Sequence, residues 1–281
     1  MQLANESLPK HMDFEATLEL FLKSRREGIS PETLRDYRGT LSRSLFHLGL
    51  APSTKHINKF FSSLQCSLGG KYGYFKCLRA FYNWLYSPRA GLGYKPEDNP
   101  ILWVDAPKRP KLILPSLSKE QVLFLIENAL TIRDKAIIAL FTESGLRLAE
   151  LTGIKPKDID WGNRSIRVIG KGGKEAYAPF GQLSEKYIKE WLAQYNPNGG
   201  NIWGLNHWGI ASMLRRLEST TGLPCNPHTF RRTFACLLRK AGVDSLTIKD
   251  LGRWESLEMV QRYTRSVTFQ DSLRFYKAPL S

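Results

Sequence analysis

The first third of the chain carries a helical pattern of apolar residues. Between residues 11 and 87, apolar positions recur at intervals of three and four, a spacing that places side chains on one face of a helix. Asp13 precedes the first stretch as a capping residue, and Ser30 followed by Pro31 marks another helix start. The pattern predicts four short amphipathic helices over 11–87 that enclose one small core.

The composition changes between residues 88 and 113, where proline, glycine and basic residues predominate. Such a composition is typical of a linker. Three basic residues lie close together near its end: Lys108, Arg109 and Lys111. They form either a stiff basic strap that follows a polyanion or a solvated connector, and the segment alone favours neither.

Residues 114–281 again show helical patterns, with one strand pattern among them. Ser118 and Gln121 form a capping box at the first helix. Alternating residues at 165–169 and 175–180 flank a glycine-rich turn and predict a β-hairpin. Further helices are predicted at about 132–144, 184–195, 208–220, 228–241, 245–251, 256–265 and 268–277. The second half is therefore expected to be a mixed α+β domain, mostly helical, with a small β-sheet.

The charge of the chain indicates its partner. Lysine and arginine total 41 against 26 acidic residues, which gives a formal net charge of +15. A surplus of this size favours nucleic acid, because each neutralised phosphate releases condensed counterions. The length of 281 residues is enough for two ordinary domains, and the hydrophobic fraction of 42% is high enough for packed cores.

The sequence indicates no metal site, no disulfide framework and no membrane segment. The four cysteines form no CxxC pair and show no zinc-like spacing with the five histidines. No stretch is long and apolar enough to span a bilayer, and the N-terminus lacks the apolar segment of a signal peptide. We therefore expect a soluble, cytoplasmic protein with reduced thiols.

Separated segments carry the candidate chemistry. In the first, a turn at Gly145 presents Arg147 at the start of a helix that also carries Glu150. In another, His228 and Arg231 are three residues apart, which places them on one helical face. Each feature alone has a simpler interpretation, because such an arginine usually forms a salt bridge and such a helix face is commonly polar surface.

The last segment places Trp254 nine residues before Tyr263 near the C-terminus. A tyrosine in such a position ordinarily contributes half-buried packing. The combination of two arginines, a histidine and a tyrosine changes this interpretation, because together they supply every group that phosphoryl transfer to a tyrosine requires.

In this combination and order, the segments resemble the tyrosine recombinase family, which includes phage integrases and the Xer-like site-specific recombinases. The matched motifs are GLRxxEL, the GKGGK turn, HxxR and LGxWxSxxMVxRY. The separations also agree with the family pattern. They are 24 residues from Arg147 to Lys171, 23 from Arg231 to Trp254 and nine from Trp254 to Tyr263.

The resemblance covers nearly the whole chain and implies its organisation. It implies a four-helix, SAM-like core-binding domain at 11–87, a basic linker at 88–113, and a catalytic domain with a C-terminal tail helix at 114–281. The two domains of such a protein form a clamp around DNA. The expected fold class is therefore mainly α, with a small sheet in the catalytic domain.

The resemblance also implies roles for five residues. Tyr263 is the expected nucleophile, which leaves a 3′-phosphotyrosyl link in a reaction that needs no metal, ATP or other cofactor. Arg147 and Arg231 clamp the phosphate, since paired guanidinium donors match its oxygens. A phenol has an ordinary pKa of about 10, so its attack at neutral pH needs help, which His228 can give. Lys171 is the expected general acid for the leaving 5′-oxygen.

Other positions are less sharply defined by the resemblance. Lys174 competes with Lys171 as the general acid. Trp254 stands where most relatives have histidine, so it is expected to position the phosphate and the tyrosine helix rather than to act as a base. Arg253 directly precedes it, and an inward-pointing Arg253 would argue against this register. Glu150 either orients the active-site base or forms a plain helical ion pair.

DNA contact and assembly complete the expectations. The residues expected to contact DNA phosphates are Lys108, Arg109, Lys111 and Arg232. The apolar tail at 268–281 is expected to dock on a neighbouring subunit, which would join four copies into a ring on DNA, or else to fold back on its own domain. Two rival functions are a type IB topoisomerase and a DNA-binding regulator that has lost catalysis.

Overall fold

The computed structural model describes residues 13–108, 113–170 and 173–277 of the 281-residue chain. The chain divides into two compact units, Met1–Lys111 and Leu112–Ser281, here called the N-terminal and the C-terminal unit. Each unit has its own core of buried apolar side chains. This is the organisation of two independently packed domains.

Four helices form most of the N-terminal unit, as predicted. They are α1 (Phe14–Arg25), α2 (Pro31–Leu48), α3 (Thr54–Ser63) and α4 (Leu68–Leu85). Each follows a polar residue whose side chain accepts a backbone N–H of the first turn, and these residues are Asp13, Ser30, Ser53 and Ser67. The caps satisfy N–H groups that have no partner inside the helix, so they define where each helix starts.

Aromatic side chains fill the core between these helices. Phe21 of α1 is fully buried, and its ring meets those of Phe81 and Trp84 on α4 edge to face at 5.4 Å. Tyr82 is also fully buried, and its hydroxyl donates to the carbonyl of Gly49 at 2.9 Å. That hydrogen bond satisfies a buried polar group and fixes the end of α2 against α4.

The first part of the predicted linker belongs to the N-terminal core. It contains three short 3-10 helices at Pro88–Ala90, Pro96–Asp98 and Pro100–Trp103. Ile101 is 2% and Val104 7% exposed, and both pack into the core. The boundary predicted at residue 88 therefore differs from the structure. The prolines that suggested a linker start tight turns that carry apolar side chains inward.

Within its described residues, the C-terminal unit contains nine α-helices, a 3-10 helix at Pro156–Asp158 and a small sheet. The helices are α5 (Lys119–Glu127), α6 (Ile132–Ser144), α7 (Leu148–Thr152), α8 (Gln182–Leu192), α9 (His207–Thr221), α10 (Pro227–Lys240), α11 (Ser245–Leu251), α12 (Leu257–Tyr263) and α13 (Phe269–Leu273). The strands are β1 (Ile159–Asp160), β2 (Ser165–Ile169) and β3 (Glu175–Pro179), joined in that order as an antiparallel sheet. Ser118 and Gln121 form the predicted capping box of α5.

Helix α6 runs through the centre of this unit. Ile137, Ile138 and Leu140 have no exposed surface, which is expected of a helix that is apolar on all sides. Phe141 near its end stacks on Phe230 of α10, with the ring centroids 5.7 Å apart and the planes 9° from parallel. This stack fixes the C-terminus of α6 beside the N-terminal half of α10.

The predicted fold class, mainly helical with a small sheet in the second half, is confirmed. Strand β1 was not predicted, because two residues are too few to show an alternating pattern. Of the helices in the described part of the chain, none has the length and apolar character needed to cross a membrane.

Candidate active site

The turn after α6 delivers the first candidate arginine. Gly145 ends α6 with φ +58°, and a Cβ atom there would lie 2.5 Å from Cδ1 of Phe234. Glycine is therefore required twice, for the left-handed backbone and for the close approach of the α10 side chain. Two residues later, Arg147 occupies the N-cap position of α7.

Glu150 holds Arg147 at both its backbone and its side chain. One carboxylate oxygen accepts the backbone N–H of Arg147 at 2.8 Å, and the other accepts from its guanidinium at 2.6 Å. The side chain of Glu150 is 3% exposed. Burial alone would raise the pKa of this carboxyl, but hydrogen bonds and charges from Arg147 and Arg253 lower it below the ordinary value. Glu150 therefore orients arginines, whereas it was expected to orient the base or to form a plain helical pair.

Arg231 is the buried member of the arginine pair. It lies on α10, which begins at the Asn226 cap with Pro227 in the first turn, and it is 2% exposed. Its guanidinium donates to the carbonyls of Gly145 and Gly252. Burial, followed by the charge of Arg147, lowers the pKa of Arg231 to about 10. Arg231 therefore remains a cation at neutral pH, and it joins the turn before Arg147 to the loop after α11.

His228 lies one helical turn before Arg231 on α10. Burial and the positive charges of Arg232, Arg231 and Arg147 lower the pKa of His228 below its ordinary value of 6.5. The imidazole is therefore neutral at neutral pH in the free protein. A neutral imidazole is a proton acceptor, which is the state that a role in deprotonating a phenol requires.

A titration of the free protein tests this charge state. We expect the NMR signal of the His228 ring to report a pKa below 6.5. In Arg147→Gln, the same ring should titrate at higher pH, because one of the neighbouring charges is gone. A His228 pKa at or above 6.5 in the unsubstituted protein would contradict the expected neutral state.

Trp254 packs beneath Arg231. The residue is 3% exposed, and the guanidinium carbon of Arg231 lies 4.5 Å from the centre of its ring, in a cation–π contact. A Cβ atom at Gly252 would lie 1.9 Å from Cζ3 of Trp254, so the indole rests directly on the backbone. The indole N–H is buried without a hydrogen-bond partner in the described part of the chain.

Substituting Gly252 tests this close packing. We expect Gly252→Ala to lower the free energy of unfolding by about 1–3 kcal/mol, because the added methyl group must displace the buried indole. Gly39→Ala is the matched control, since an added Cβ on α2 would meet nothing within 4 Å. That control should instead stabilise the protein by up to about 1 kcal/mol through helix propensity. Equal effects of both substitutions in chemical denaturation would contradict the packing described for Trp254.

Arg253 points inward, contrary to expectation. Its side chain is 9% exposed and donates to Glu150 at 3.3 Å and to the carbonyl of Leu251 at 2.8 Å. Trp254 is nevertheless buried against Arg231, so both neighbours face the interior. The reason lies in the backbone, because Arg253 adopts φ +56°, and this left-handed conformation allows both consecutive side chains to turn inward. Its position next to Gly252, in a motif already marked by Trp254, was a signal that could have identified it.

Tyr263 is the last residue of α12, and its ring also contacts Trp254. Their ring centroids are 5.3 Å apart, and the Tyr263 carbonyl accepts from the Cys236 thiol on α10 at 3.2 Å. The Tyr263 phenol is close enough to Arg231 and Arg232 to raise their pKa values slightly, against the larger effect of burial. One chain therefore brings the tyrosine and the arginines together.

Three of the expected site residues, Lys171, Arg109 and Lys111, lie outside the described residues. Lys171 lies in sequence between strands β2 and β3, which pair as far as Ile169 and Glu175. Lys174, the competing candidate, is exposed directly before β3, and Lys108 is exposed as a phosphate contact would require.

Arg232 differs from its expected role. It is 7% exposed, and its guanidinium donates to the Pro115 carbonyl at 3.0 Å and to the Thr229 hydroxyl at 2.9 Å. The neighbouring Thr233 hydroxyl accepts the backbone N–H of Leu117 at 2.9 Å. Arg232 therefore ties α10 to the start of the C-terminal unit, and the expectation of a surface phosphate contact is not supported.

The apolar tail contacts its own unit. Lys240 of α10 pairs with Asp271 of α13 at 3.5 Å, and the Phe275 ring covers Gly242, where a Cβ atom would lie 2.6 Å away. Phe269 is nevertheless 75% exposed, and Tyr276 is 65% exposed. In the described part of the chain, no cluster of three histidine, cysteine or acidic side chains is arranged to hold a metal ion.

Comparison with solved structures identifies the fold. Lambda integrase bound to DNA matches with a TM-score of 0.75 and 17% identity, over 92% of this chain and 98% of that chain. The Tn1549 transposon integrase in complex with circular intermediate DNA matches with a TM-score of 0.68 and 17% identity, over 93% and 99%. The chain therefore has the integrase fold.

Comparison of sequences identifies the family. The model of the phage integrase family matches residues 115–268. Tyrosine recombinase XerC of Shewanella amazonensis is 30% identical over 281 aligned positions, which cover 91% of this chain and 92% of the relative. XerC of Syntrophus aciditrophicus is 32% identical over 212 positions, and this alignment spans 66% of each protein. The chain spans just under two thirds of the length of that relative. The chain belongs to the phage integrase family.

Proposed function

We propose that this protein is a site-specific DNA recombinase that cleaves and rejoins strands through a 3′-phosphotyrosyl intermediate. The observation that carries the proposal is that Arg231 and Tyr263 both contact Trp254, while Arg147 lies close enough to Arg231 for its charge to lower the pKa of Arg231. The matched XerC relatives bear the name tyrosine recombinase, and the matched integrase structures contain DNA. The net charge of +15 agrees with a DNA partner.

The two arginines suit a phosphate because only part of their donor capacity is used. A guanidinium has five N–H donors. Arg231 gives donors to two carbonyls, and Arg147 gives one to Glu150 and one to the Arg253 carbonyl. The remaining donors are held in a fixed geometry by these contacts. A preorganised donor pair stabilises the charge that grows on the phosphate oxygens in the transition state.

The proposed reaction conserves bond energy. The phenol oxygen of Tyr263 forms a bond to phosphorus while the bond to the DNA 5′-oxygen breaks. His228 takes up the phenol proton, and Lys171 on the hairpin gives a proton to the leaving oxygen. Strand joining reverses these steps with a new 5′-hydroxyl. Because the ester energy stays in the protein–DNA link, joining consumes no nucleotide, and the guanidiniums supply the charge that a metal supplies in many nucleases.

Trp254 is proposed to position both reacting groups. Its ring contacts both the Arg231 guanidinium and the Tyr263 ring. Among the described residues its buried indole N–H has no hydrogen-bond partner, and the scissile phosphate is proposed as its acceptor. An indole has no basic nitrogen, so Trp254 takes no part in proton transfer.

The N-terminal unit is proposed to contact DNA as a core-binding domain. Arg35, Arg43 and Lys76 are exposed along an open groove between α2 and α4. Basic side chains on neighbouring helices can follow a phosphate backbone, and such contacts set register rather than sequence. Lys108, near the end of the unit, is also exposed and is proposed to contact DNA phosphates.

We propose a tetramer on DNA, linked by exchange of the C-terminal helix. The exposed aromatic residues of the tail, Phe269 and Tyr276, are the kind of surface that a neighbouring subunit would cover. A head-to-tail exchange of this kind closes into a ring when the rotation fits the number of copies.

A nicked duplex tests the proposed function. The substrate is taken from the DNA that flanks the gene and carries a nick beside the cleavage position, so that the short fragment diffuses away after cleavage. We expect the full-length protein to form a covalent adduct with DNA that survives denaturing detergent. Absence of an adduct on every fragment would indicate a DNA-binding regulator instead. Relaxation of supercoiled DNA without exchange between two sites would indicate a type IB topoisomerase.

A further inference from the structure

The backbone of Arg253 is unusual for its residue type. Within the described residues, three non-glycine residues have a positive φ: Arg164, Asn198 and Arg253. Of these, Arg253 alone belongs to the candidate active site. A left-handed conformation is strained for a residue with a Cβ atom and persists only where surrounding contacts enforce it. The contacts of the Arg253 side chain are therefore the candidates for what enforces its left-handed backbone.

The Arg253 guanidinium makes its hydrogen bonds inside the protein through its two terminal nitrogens, while its buried Nε–H has no partner among the described residues. It donates to the carbonyl of Leu251 at 2.8 Å, to that of Ser144 at 3.4 Å and to Glu150 at 3.3 Å. Its side chain is 9% exposed. These contacts connect the end of α6, the start of α7 and the end of α11. Arg253 thus joins the turn that carries Arg147 to the loop whose Gly252 carbonyl accepts from Arg231, and its own side chain is mostly buried.

Arg253 acts on Arg147 through two routes. Both guanidiniums bind the same carboxylate, that of Glu150, at its two different oxygens. The backbone carbonyl of Arg253 also accepts from the Arg147 guanidinium at 3.4 Å. The exposed fraction of the Arg147 side chain is 39%, so it is the less buried of the clamping pair and the one with more freedom to move.

We propose that Arg253 is a positioning residue that locks Glu150 and Arg147 into the phosphate-binding geometry before DNA binds. The proposal rests on the proposed function, because it assigns Arg147 to the scissile phosphate. Arg253 restrains the carboxylate from one side while its carbonyl restrains the guanidinium from the other. Without the Arg253 side chain, Glu150 and Arg147 can still form their ion pair, but the orientation of that pair is no longer fixed.

Two substitutions separate this role from plain stability. Arg253→Gly removes the side chain and relieves the backbone, whereas Arg253→Lys keeps the charge and loses the fork that reaches two carbonyls and Glu150 at once. We expect the single-turnover rate of adduct formation to fall roughly 10- to 100-fold in Arg253→Gly, with the DNA dissociation constant within about twofold of the unsubstituted protein. Arg253→Lys should lie between the two.

Arg164→Gly is the matched control. Arg164 also has a positive φ, of 47°, and also binds a carboxylate, that of Glu185, at 2.8 Å. It lies in the turn before β2, and its side chain is 46% exposed. The control should leave the adduct rate unchanged. An Arg253→Gly rate equal to that of the control would overturn the proposal, as would full activity of Arg253→Lys, which would show that charge alone suffices.

Combining substitutions tests the route through Glu150. Glu150→Gln and Arg253→Gly should each slow adduct formation, and the double variant should be little slower than the slower single variant, because both act on one unit. Additive losses would mean that Arg253 acts elsewhere and would overturn the proposal.

A readout without catalysis separates this proposal from the proposed function. We expect the side-chain Nε–H NMR signal of Arg147 in the DNA-free protein to be sharp, and to broaden or disappear in Arg253→Gly but not in Arg164→Gly. An unchanged signal would overturn the positioning role. If the unsubstituted protein formed no adduct while Arg253→Gly still broadened the signal, the proposed function would fail and the restraint on Arg147 would stand.

Discussion

Replacing Tyr263 by phenylalanine is expected to abolish the covalent adduct with nicked DNA while leaving DNA affinity unchanged. The substitution removes only the hydroxyl, so the ring keeps its contact with Trp254 at 5.3 Å. Loss of a covalent nucleophile typically reduces the rate by about 10⁴-fold or more, which exceeds what gel detection can follow. Denaturing gels of the adduct, alongside DNA binding by fluorescence anisotropy, measure the two quantities separately.

Tyr195 offers a matched control for this substitution. Its ring stacks on Trp191 at 4.8 Å, which makes it a second tyrosine–tryptophan pair within the same unit. Tyr195→Phe should therefore form the adduct at the rate of the unsubstituted protein. Adduct formed by Tyr263→Phe at more than a trace would show that another side chain attacks the phosphate.

Replacing Arg231 by lysine is expected to produce the second large effect. A lysine keeps a positive charge but offers a single ammonium group in place of the planar fork. The carbonyls of Gly145 and Gly252 would then lose one or both of their donors, and the phosphate would lose its paired contact. We expect the single-turnover rate to fall roughly 10²- to 10³-fold, the loss typical of one preorganised donor at a charged transition state.

The same substitution should also lower the free energy of unfolding, by about 1–3 kcal/mol, because buried carbonyls are left without partners. Arg133→Lys is the control, since the Arg133 guanidinium lies over the Trp191 ring at 5.5 Å, outside the candidate site. It should change stability slightly and leave the rate unchanged. A rate for Arg231→Lys within threefold of the unsubstituted protein would contradict the proposed clamp.

Much of the fold could be predicted because local signals and tertiary packing agree in it. The caps at Asp13, Ser30 and Ser118 are short-range hydrogen bonds, and each starts the helix that the sequence indicated. The turn at Gly145 is likewise a local feature, since glycine is the residue that adopts a left-handed backbone at the lowest energetic cost. Where residues within four positions of one another determine the structure, the sequence is sufficient.

The predictions failed where long-range burial decides the structure. Residues 88–104 have the composition of a linker, yet Ile101 and Val104 are buried in the N-terminal core. Arg232 was expected on the surface, but it is buried, and its guanidinium donates to the carbonyl of Pro115, 117 positions earlier in the chain. An arginine on a basic chain is normally exposed, so nothing local distinguishes one that is buried.

The candidate site contains residues whose place the sequence predicted and one, Arg253, whose place it did not. The resemblance to the tyrosine recombinases grouped Arg147, His228, Arg231 and Tyr263 into one site. In the structure Arg231 is close enough to Arg147 and Tyr263, and His228 to both arginines, for these neighbouring charges to affect the pKa values of Arg231 and His228. An inward-pointing Arg253 was expected to argue against the register of this motif, but the left-handed backbone at Arg253 allows both Arg253 and Trp254 to face the interior. The inward Arg253 then gives Glu150 a second partner that no motif indicated.

The most direct test of the account is to determine which atoms are joined in the trapped adduct. Digestion of the adduct after lysine and arginine should release the three-residue peptide Tyr263–Arg265 linked to DNA. Mass spectrometry should place the link on the Tyr263 oxygen and on a 3′-phosphate, with a free 5′-hydroxyl on the released strand. A link on any other residue, or on a 5′-phosphate, would contradict the account.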